Sequence, residues 1–482
     1  YGGVINIITK KQKNDGIQAN GRVMYGSYNT QKYMASAGFK NKGFSFFASL
    51  NHDRTDGHRD SSDFSIINGY IKSGYEFNKN LRLFTDIGVA RFEAADPGPV
   101  GGFAGERIDI LRGKAALSLE NNLSRIQGAL KIYYNFGDHE ISDGWHSNDV
   151  MYGLMVYQGF SLFDGNTITA GYDYMQYGGR GSPITTVLRD EKGNVIMPPQ
   201  FVISELNDRW IDMSNNALYA IIQQKFFKNF ILNAGIRYDM NGTYGSEWIP
   251  QVGLAWHMTI SSTLKGSVSK GYRPPSIREL YLFPPANEKL LAERMINYEL
   301  GWTQYMFKSK MKTELTGFIS AGDNMIVMVP PAPPPPPQYK NTGIFTNRGL
   351  EFSCDYQATR YLKFHSNYTY INMKKPLQAT PEHNLYFSTS YKLKNKLSFN
   401  LKLQNIFNLY GEKDGEIDII EKGYHLLGIR IGYRLNRYLD FFVSGENLLN
   451  QEYQINNGYP MPGITVFGGV NLKYDKNIQK RQ

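Results

Sequence analysis

Apolar and polar residues alternate one for one along much of the chain, the signature of strands with one greasy face. From 230 to 238, Phe230, Leu232, Ala234, Ile236 and Tyr238 share one face, and Asn233, Gly235 and Arg237 lie on the other. Leu397, Phe399, Leu401 and Leu403 alternate with Ser398, Asn400, Lys402 and Gln404. Near the end, Val466, Gly468, Val470, Leu472 and Tyr474 form another such face. An apolar strand face meets a second sheet in a soluble sandwich and lipid in a membrane barrel.

The connections separate these two cases. Short Gly/Asn/Lys turns such as Asn41-Lys42-Gly43, Asn78-Lys79-Asn80, Asp164-Gly165-Asn166, Lys228-Asn229, Lys308-Ser309-Lys310 and Asn436-Arg437 have hairpin chemistry. Between them fall long irregular segments, near 54–63, 93–108, 136–148, 179–212, 273–292, 329–344, 409–423 and 447–463. Short periplasmic turns alternating with long extracellular loops are the habit of bacterial outer-membrane barrels. The pattern predicts an all-β fold, a transmembrane antiparallel β-barrel of about 22 strands. The strands begin near 17, 31, 43, 64, 81, 109, 123, 149, 166, 213, 230, 247, 263, 293, 311, 345, 361, 382, 396, 424, 438 and 464. The even count returns the chain to the side on which it began, and a lumen of this width needs a plug. Phe230, Leu232, Ile236, Leu397, Phe399 and Leu401 are expected to face lipid, and Arg237, Lys402 and Gln404 the lumen.

Composition agrees. Aromatic residues make up 14% of the 482 residues, with 34 Tyr and 28 Phe. Mean hydropathy is nevertheless only -0.42, as expected of many half-apolar strands. No stretch reaches the ~18 consecutive apolar residues of a membrane helix. Much of the net charge of +10 sits in short turns, as at Lys225/Lys228 and Lys394/Lys396. Lysines scattered in this way suit a rim beside anionic lipid headgroups, not a nucleic-acid groove. The single cysteine, Cys354, excludes an internal disulfide and a CxxC metal or redox pair. The sequence starts at Tyr1 without an initiator Met or export signal, so an N-terminal truncation is expected.

Four segments carry a family resemblance. Tyr1-Gly2-Gly3-Val4-Ile5-Asn6-Ile7-Ile8-Thr9-Lys10 resembles the last plug strand of TonB-dependent receptors. Tyr272-Arg273-Pro274-Pro275-Ser276-Ile277-Arg278-Glu279-Leu280-Tyr281, with Asn287 to Glu293, resembles that family's F-R-A-P…E-L-Y region. Asn347-Arg348-Gly349-Leu350-Glu351 is similar to its N-x-G-x-E strand opening. Glu446-Asn447-Leu448-Leu449-Asn450 through Tyr453, then Pro460-Met461-Pro462-Gly463, resembles its C-terminal region, although Ile464 stands where an Arg is usual and Asp475 to Gln482 follow the last aromatic, Tyr474. The resemblance implies three parts: a plug remnant and linker over 1–16, a barrel over 17–474 and a periplasmic tail over 475–482. It also implies energised import of a scarce nutrient, first a ferric siderophore and second cobalamin. A passive channel is the alternative of a different class. The partners implied are the TonB complex, reached through a missing N-terminal segment, a small metal-chelate ligand, and the bilayer with its lipopolysaccharide; the sequence leaves open whether a surface lipoprotein caps the barrel. Neither a cofactor nor enzymatic activity is implied.

Candidate contacts fall in the outer loops. Arg180, Arg189, Phe201, Arg209 and Trp210 lie in the longest of them, and Arg with aromatics suits a planar anionic ligand. The same loop also suits a plain cap. Arg273 and Tyr281 sit in the segment that resembles the family, which reads equally as a structural anchor. No His lies between Tyr272 and Glu293, which argues against haem. Pro330, Pro331 and Pro333 to Pro337 suit a stiff polyproline loop. Met325 and Met328 lack the cluster that copper would need. Asp53, Asp56, Asp60 and Asp63, and Glu412, Asp414, Glu416, Asp418 and Glu421, suit either Ca²⁺ or a solvated lipopolysaccharide-facing surface. The scattered His and Ser residues form no evident acyl-transfer triad.

Overall fold

The computed structural model describes residues 12, 15–102, 105–182, 209–282, 286–329, 338–394 and 396–477. Among them run twenty-two strands. In chain order the first eleven are β1 (Gly16–Gly26), β2 (Thr30–Asn41), β3 (Phe44–Thr55), β4 (Phe64–Asn78), β5 (Leu81–Ala95), β6 (Arg107–Asn122), β7 (Ile126–Ile141), β8 (His146–Phe160), β9 (Asn166–Ser182), β10 (Ile211–Phe226) and β11 (Phe230–Asn241). The rest are β12 (Gly245–His257), β13 (Ser262–Arg273), β14 (Glu293–Met306), β15 (Met311–Val329), β16 (Gln338–Tyr356), β17 (Leu362–Met373), β18 (Thr380–Leu393), β19 (Leu397–Lys413), β20 (Glu416–Arg434), β21 (Leu439–Glu446) and β22 (Thr465–Asn477). Each pairs antiparallel with its sequence neighbours, and β1 pairs with β22 from Gly16↔Asn477 to Gly26↔Phe467. The sheet is therefore a closed 22-stranded barrel without a free edge.

Hairpin chemistry sets one rim. Every connection on that side has two to five residues. Phe227 and Lys228 turn there with φ of 46° and 64°, the left-handed backbone that a tight hairpin demands. The opposite rim carries the long loops, with the five-residue helix α1 (Ile277–Tyr281) in the β13–β14 connection.

Alternation sets the two faces as expected. Ile236 and Phe399 are exposed on the outer wall. Arg237 points into the lumen, where Asp173 of β9 and Asp239 accept its hydrogen bonds. Lys402 meets Glu446 at 2.6 Å, and Gln404 donates to Asn384 at 3.4 Å. Near the short turns, outward aromatics touch around the barrel: Phe39–Phe44 at 6.4 Å, Phe230–Trp256 at 5.7 Å, Tyr356–Phe364 at 6.3 Å and Tyr391–Phe399 at 6.5 Å between ring centres. This is the aromatic girdle of a membrane interface.

Several boundaries differ from the sequence reading. The segment 136–148 is not an irregular loop, because β7 continues to Ile141 and β8 starts at His146. Likewise β19 and β20 run through 409–423 and turn at Asp414–Gly415, with φ of 55° and 83°. Strand β16 starts at Gln338 rather than near 345. Here the strands lose their period-2 signal in two ways: Asp138, His139 and Glu140 make β7 polar on both faces, and the neighbours Ile419 and Ile420 make β20 apolar on both. At the other end β22 extends to Asn477, taking Asp475 to Asn477 out of the expected tail.

Candidate ligand-binding mouth and lumen

The segment Tyr272–Glu293 builds the mouth. Pro274 and Pro275 cannot donate to the ladder, so β13 ends at Arg273. Ser276 then caps α1. Its hydroxyl accepts from the Glu279 N–H at 3.2 Å, and its own N–H donates to Glu279 Oε2 at 2.7 Å, a reciprocal capping box.

Arg273 ties this turn to the wall. Its Nε donates to Glu293 Oε2 at 2.6 Å and its Nη2 to Glu293 Oε1 at 2.8 Å. Nη1 and Nη2 donate to the two oxygens of Glu279, each at 3.0 Å. Glu293 is only 1% exposed and also accepts the Ile326 N–H at 2.8 Å. Burial pushes the Glu279 carboxyl up, but Arg273 and the N–H and hydroxyl of Ser276 more than offset it, and it rests below the usual glutamate range. Leu280 and Leu290, each 1% exposed, pack with Met213, Tyr244 and Ala292, and Tyr177, Tyr272 and Tyr281 close around them. Asn287 donates to the Tyr339 carbonyl at 2.7 Å, and Asn341 accepts from the Leu291 N–H at 2.8 Å, so the loop is also stitched to β16.

Deeper in the lumen Arg237 lies between Asp173 and Asp239, with its guanidinium 5.8 Å from the Tyr219 ring centre. On the other side of the mouth three loops are stitched together. His58 meets the Pro460 carbonyl at 2.8 Å, Arg59 donates to the Gly98 carbonyl at 2.8 Å, and Val100 N–H donates to the Gly458 carbonyl at 2.8 Å.

The expected contact residues part company here. Arg273 is an internal brace, with its donors spent on two carboxylates, and Tyr281 packs against the Leu280 cluster. Arg180 shares the outward register of Asn148, to which it donates at 3.4 Å, and so points away from the lumen. Arg209 and Trp210 are exposed just before β10, and Arg189 and Phe201 lie outside the described residues. Three of the four aspartates of the first acid run are engaged internally: Asp53 with Lys32, Asp56 with Arg54 and Asp63 with Arg107. Glu412 to Glu421 are spread along both legs and the tip of a hairpin. The proline run lies outside the described residues. Gln12 approaches Gly38 on the lumen side of β2. Over Phe467–Leu472 both edges of β22 are occupied, by β1 and β21. Sequence alone does not pair Arg273 with Glu279 and Glu293, or Arg237 with Asp173 and Asp239. The signals it offers are the family-like segment that holds both glutamates, the capping spacing Ser276-x-x-Glu279 and the lumen-facing parity of Arg237.

The family model for the TonB dependent receptor-like β-barrel matches residues 8–448. The chain belongs to this family. It is therefore an outer-membrane β-barrel of a group of receptors and transporters. Among curated relatives it is similar to the vitamin B12 transporter BtuB of Vibrio cholerae, 23% identical over 283 residues, covering 56% of this chain and 44% of that protein. It is also similar to the ferrienterobactin receptor of Escherichia coli K12, 22% identical over 298 residues, covering 54% and 37%. The chain thus spans less than half the length of these relatives. Among solved structures, the siderophore receptor PirA of Pseudomonas aeruginosa superposes with a TM-score of 0.78 at 17% identity, covering 98% of this chain and 83% of that one. The ferric-catecholate import receptor Fiu of E. coli K12 gives 0.82 at 14% identity, with coverage of 98% and 83%. At these identities the superpositions speak for the fold.

Proposed function

We propose that this barrel imports a ferric siderophore, energised by contact with the TonB complex of the inner membrane. The observation that carries the reading is the closed barrel of 22 strands. A lumen this wide must be plugged. A plugged lumen passes a dilute ligand only when work is done on the plug, and that work has to come from the inner membrane. Arg209 and Trp210, exposed at the mouth, suit the first contact with a planar anionic chelate. Cobalamin is the second reading, favoured by the similarity to BtuB.

Receptor purified from outer membranes is titrated with ferric enterobactin and, separately, with cyanocobalamin, reading tryptophan fluorescence. Saturable quenching by the ferric chelate alone is expected, with Arg209→Ala weakening it several-fold. Saturable quenching by cyanocobalamin alone would replace the siderophore reading with the second one.

A further inference from the structure

On the outer wall of β7 the outward residues run Leu130, Ile132, Tyr134, Phe136, Asp138 and Glu140. On β8 their partners run Val156, Leu154, Tyr152, Val150, Asn148 and His146, in unbroken register. The apolar band therefore gives way, beyond Phe136 and Val150, to two carboxylates and an imidazole. Glu140 stands directly opposite His146. One donor atom from each of Asp138, Glu140 and His146 lies within 4.8 Å of the others. The His146 Nε2 sits 3.3 Å from both oxygens of Asp138. That is long for a charge-assisted hydrogen bond, which runs at about 2.7–2.9 Å. It matches two ligands on one metal ion, because donors bound at about 2.0–2.2 Å in a tetrahedral site stand roughly 3.4 Å apart. Asn148 donates to Asp138 Oδ2 at 2.5 Å and fixes that carboxylate. The nearby cation Arg91 is held by Asp109 through two hydrogen bonds, the Arg91 Nε contact being 3.0 Å.

We propose that Asp138, Glu140 and His146 form a divalent-metal site on the outward face of the β7–β8 hairpin, separate from the lumen. An imidazole between two carboxylates is a mixed nitrogen–oxygen set that suits Zn²⁺ or Mn²⁺ better than Ca²⁺. Three protein ligands leave further coordination positions facing outward, open to water or to a phosphate oxygen. The two strands hold the ligands in place before the ion arrives, so little ordering is needed on binding.

The chain, folded in detergent micelles and stripped with EDTA, is titrated with Zn²⁺ by calorimetry. One saturable equivalent is expected. His146→Ala and Glu140→Gln should each weaken it at least tenfold, while His52→Ala, on the outer wall of β3, leaves it unchanged. The heat-dependent gel mobility of the barrel shows that each variant is folded, and the exposed Glu140→Gln change keeps the test available if His146→Ala does not fold. No saturable binding, or binding that both ligand variants leave within twofold of the parent, would overturn the assignment.

Discussion

Arg273→Ala is expected to destabilise the folded barrel by about 3 kcal/mol, the low end for breaking a buried ion pair because Arg273 itself keeps contact with water. The loss comes from what is left behind. Glu293 is 1% exposed, and without the guanidinium its buried carboxylate loses both charge-assisted hydrogen bonds that Arg273 donates, while the Ile326 N–H at 2.8 Å stays in place. Glu279 loses the partner that holds α1 against the wall. Urea unfolding in lipid vesicles measures the first effect, and trypsin cleavage within 274–292 the second. Arg273→Lys should recover only part of either, because an ammonium group cannot bind both carboxylates in a bidentate manner. The brace should also loosen in acid. The folded carboxyl of Glu279 lies below its unfolded value, so its contribution is full above that unfolded value, near ~4.3, and disappears as pH falls through the lower folded one. An Arg273→Ala barrel with parental stability and parental cleavage would show that the mouth is held by the Leu280 cluster alone.

Leu403→Arg should cost about 2–4 kcal/mol, and Phe399→Arg only about 1 kcal/mol or less, although both residues face outward on one strand. Depth makes the difference. Phe399 is the third residue of β19, next to the short turn, and touches Tyr391 within the aromatic girdle at 6.5 Å. An arginine there reaches headgroups with its guanidinium. Leu403 lies four residues further along, opposite Leu427 and Phe387, where no headgroup is in reach. The lumen-facing neighbour Lys402 already carries a charge and is paired with Glu446. Unfolding free energies in vesicles for the two arginine variants check the ordering, and equal costs would contradict the depth assignment.

The strands were legible where one face is apolar. Starts near 64, 81, 166, 230, 293 and 311 coincide with the observed ones, because turn residues such as Asn78-Lys79-Asn80 and Lys308-Ser309-Lys310 bound clean alternation. Legibility failed where hairpins rise out of the membrane. Asp138, His139 and Glu140 are polar on both faces, so the strand kept its geometry and lost its pattern. The Asp414-Gly415 pair was a readable turn signal that the surrounding carboxylates obscured. The mouth was legible only in part. Arg273 reads in the sequence as either a ligand contact or a structural anchor, because its partners lie 6 and 20 residues away and nothing in the sequence pairs them until β13 and β14 stand side by side. Arg180 reads as a loop residue because β9 continues further than its alternation suggests, and its place on a strand turns it outward.

Energised import is tested most directly by uptake. Cells producing the receptor are given radiolabelled ferric enterobactin, with and without a protonophore, and surface-bound label is separated from internal label. The account predicts that internal label accumulates only in energised cells, while surface binding survives the protonophore. Internal accumulation that continues unchanged after the proton-motive force has collapsed would contradict it.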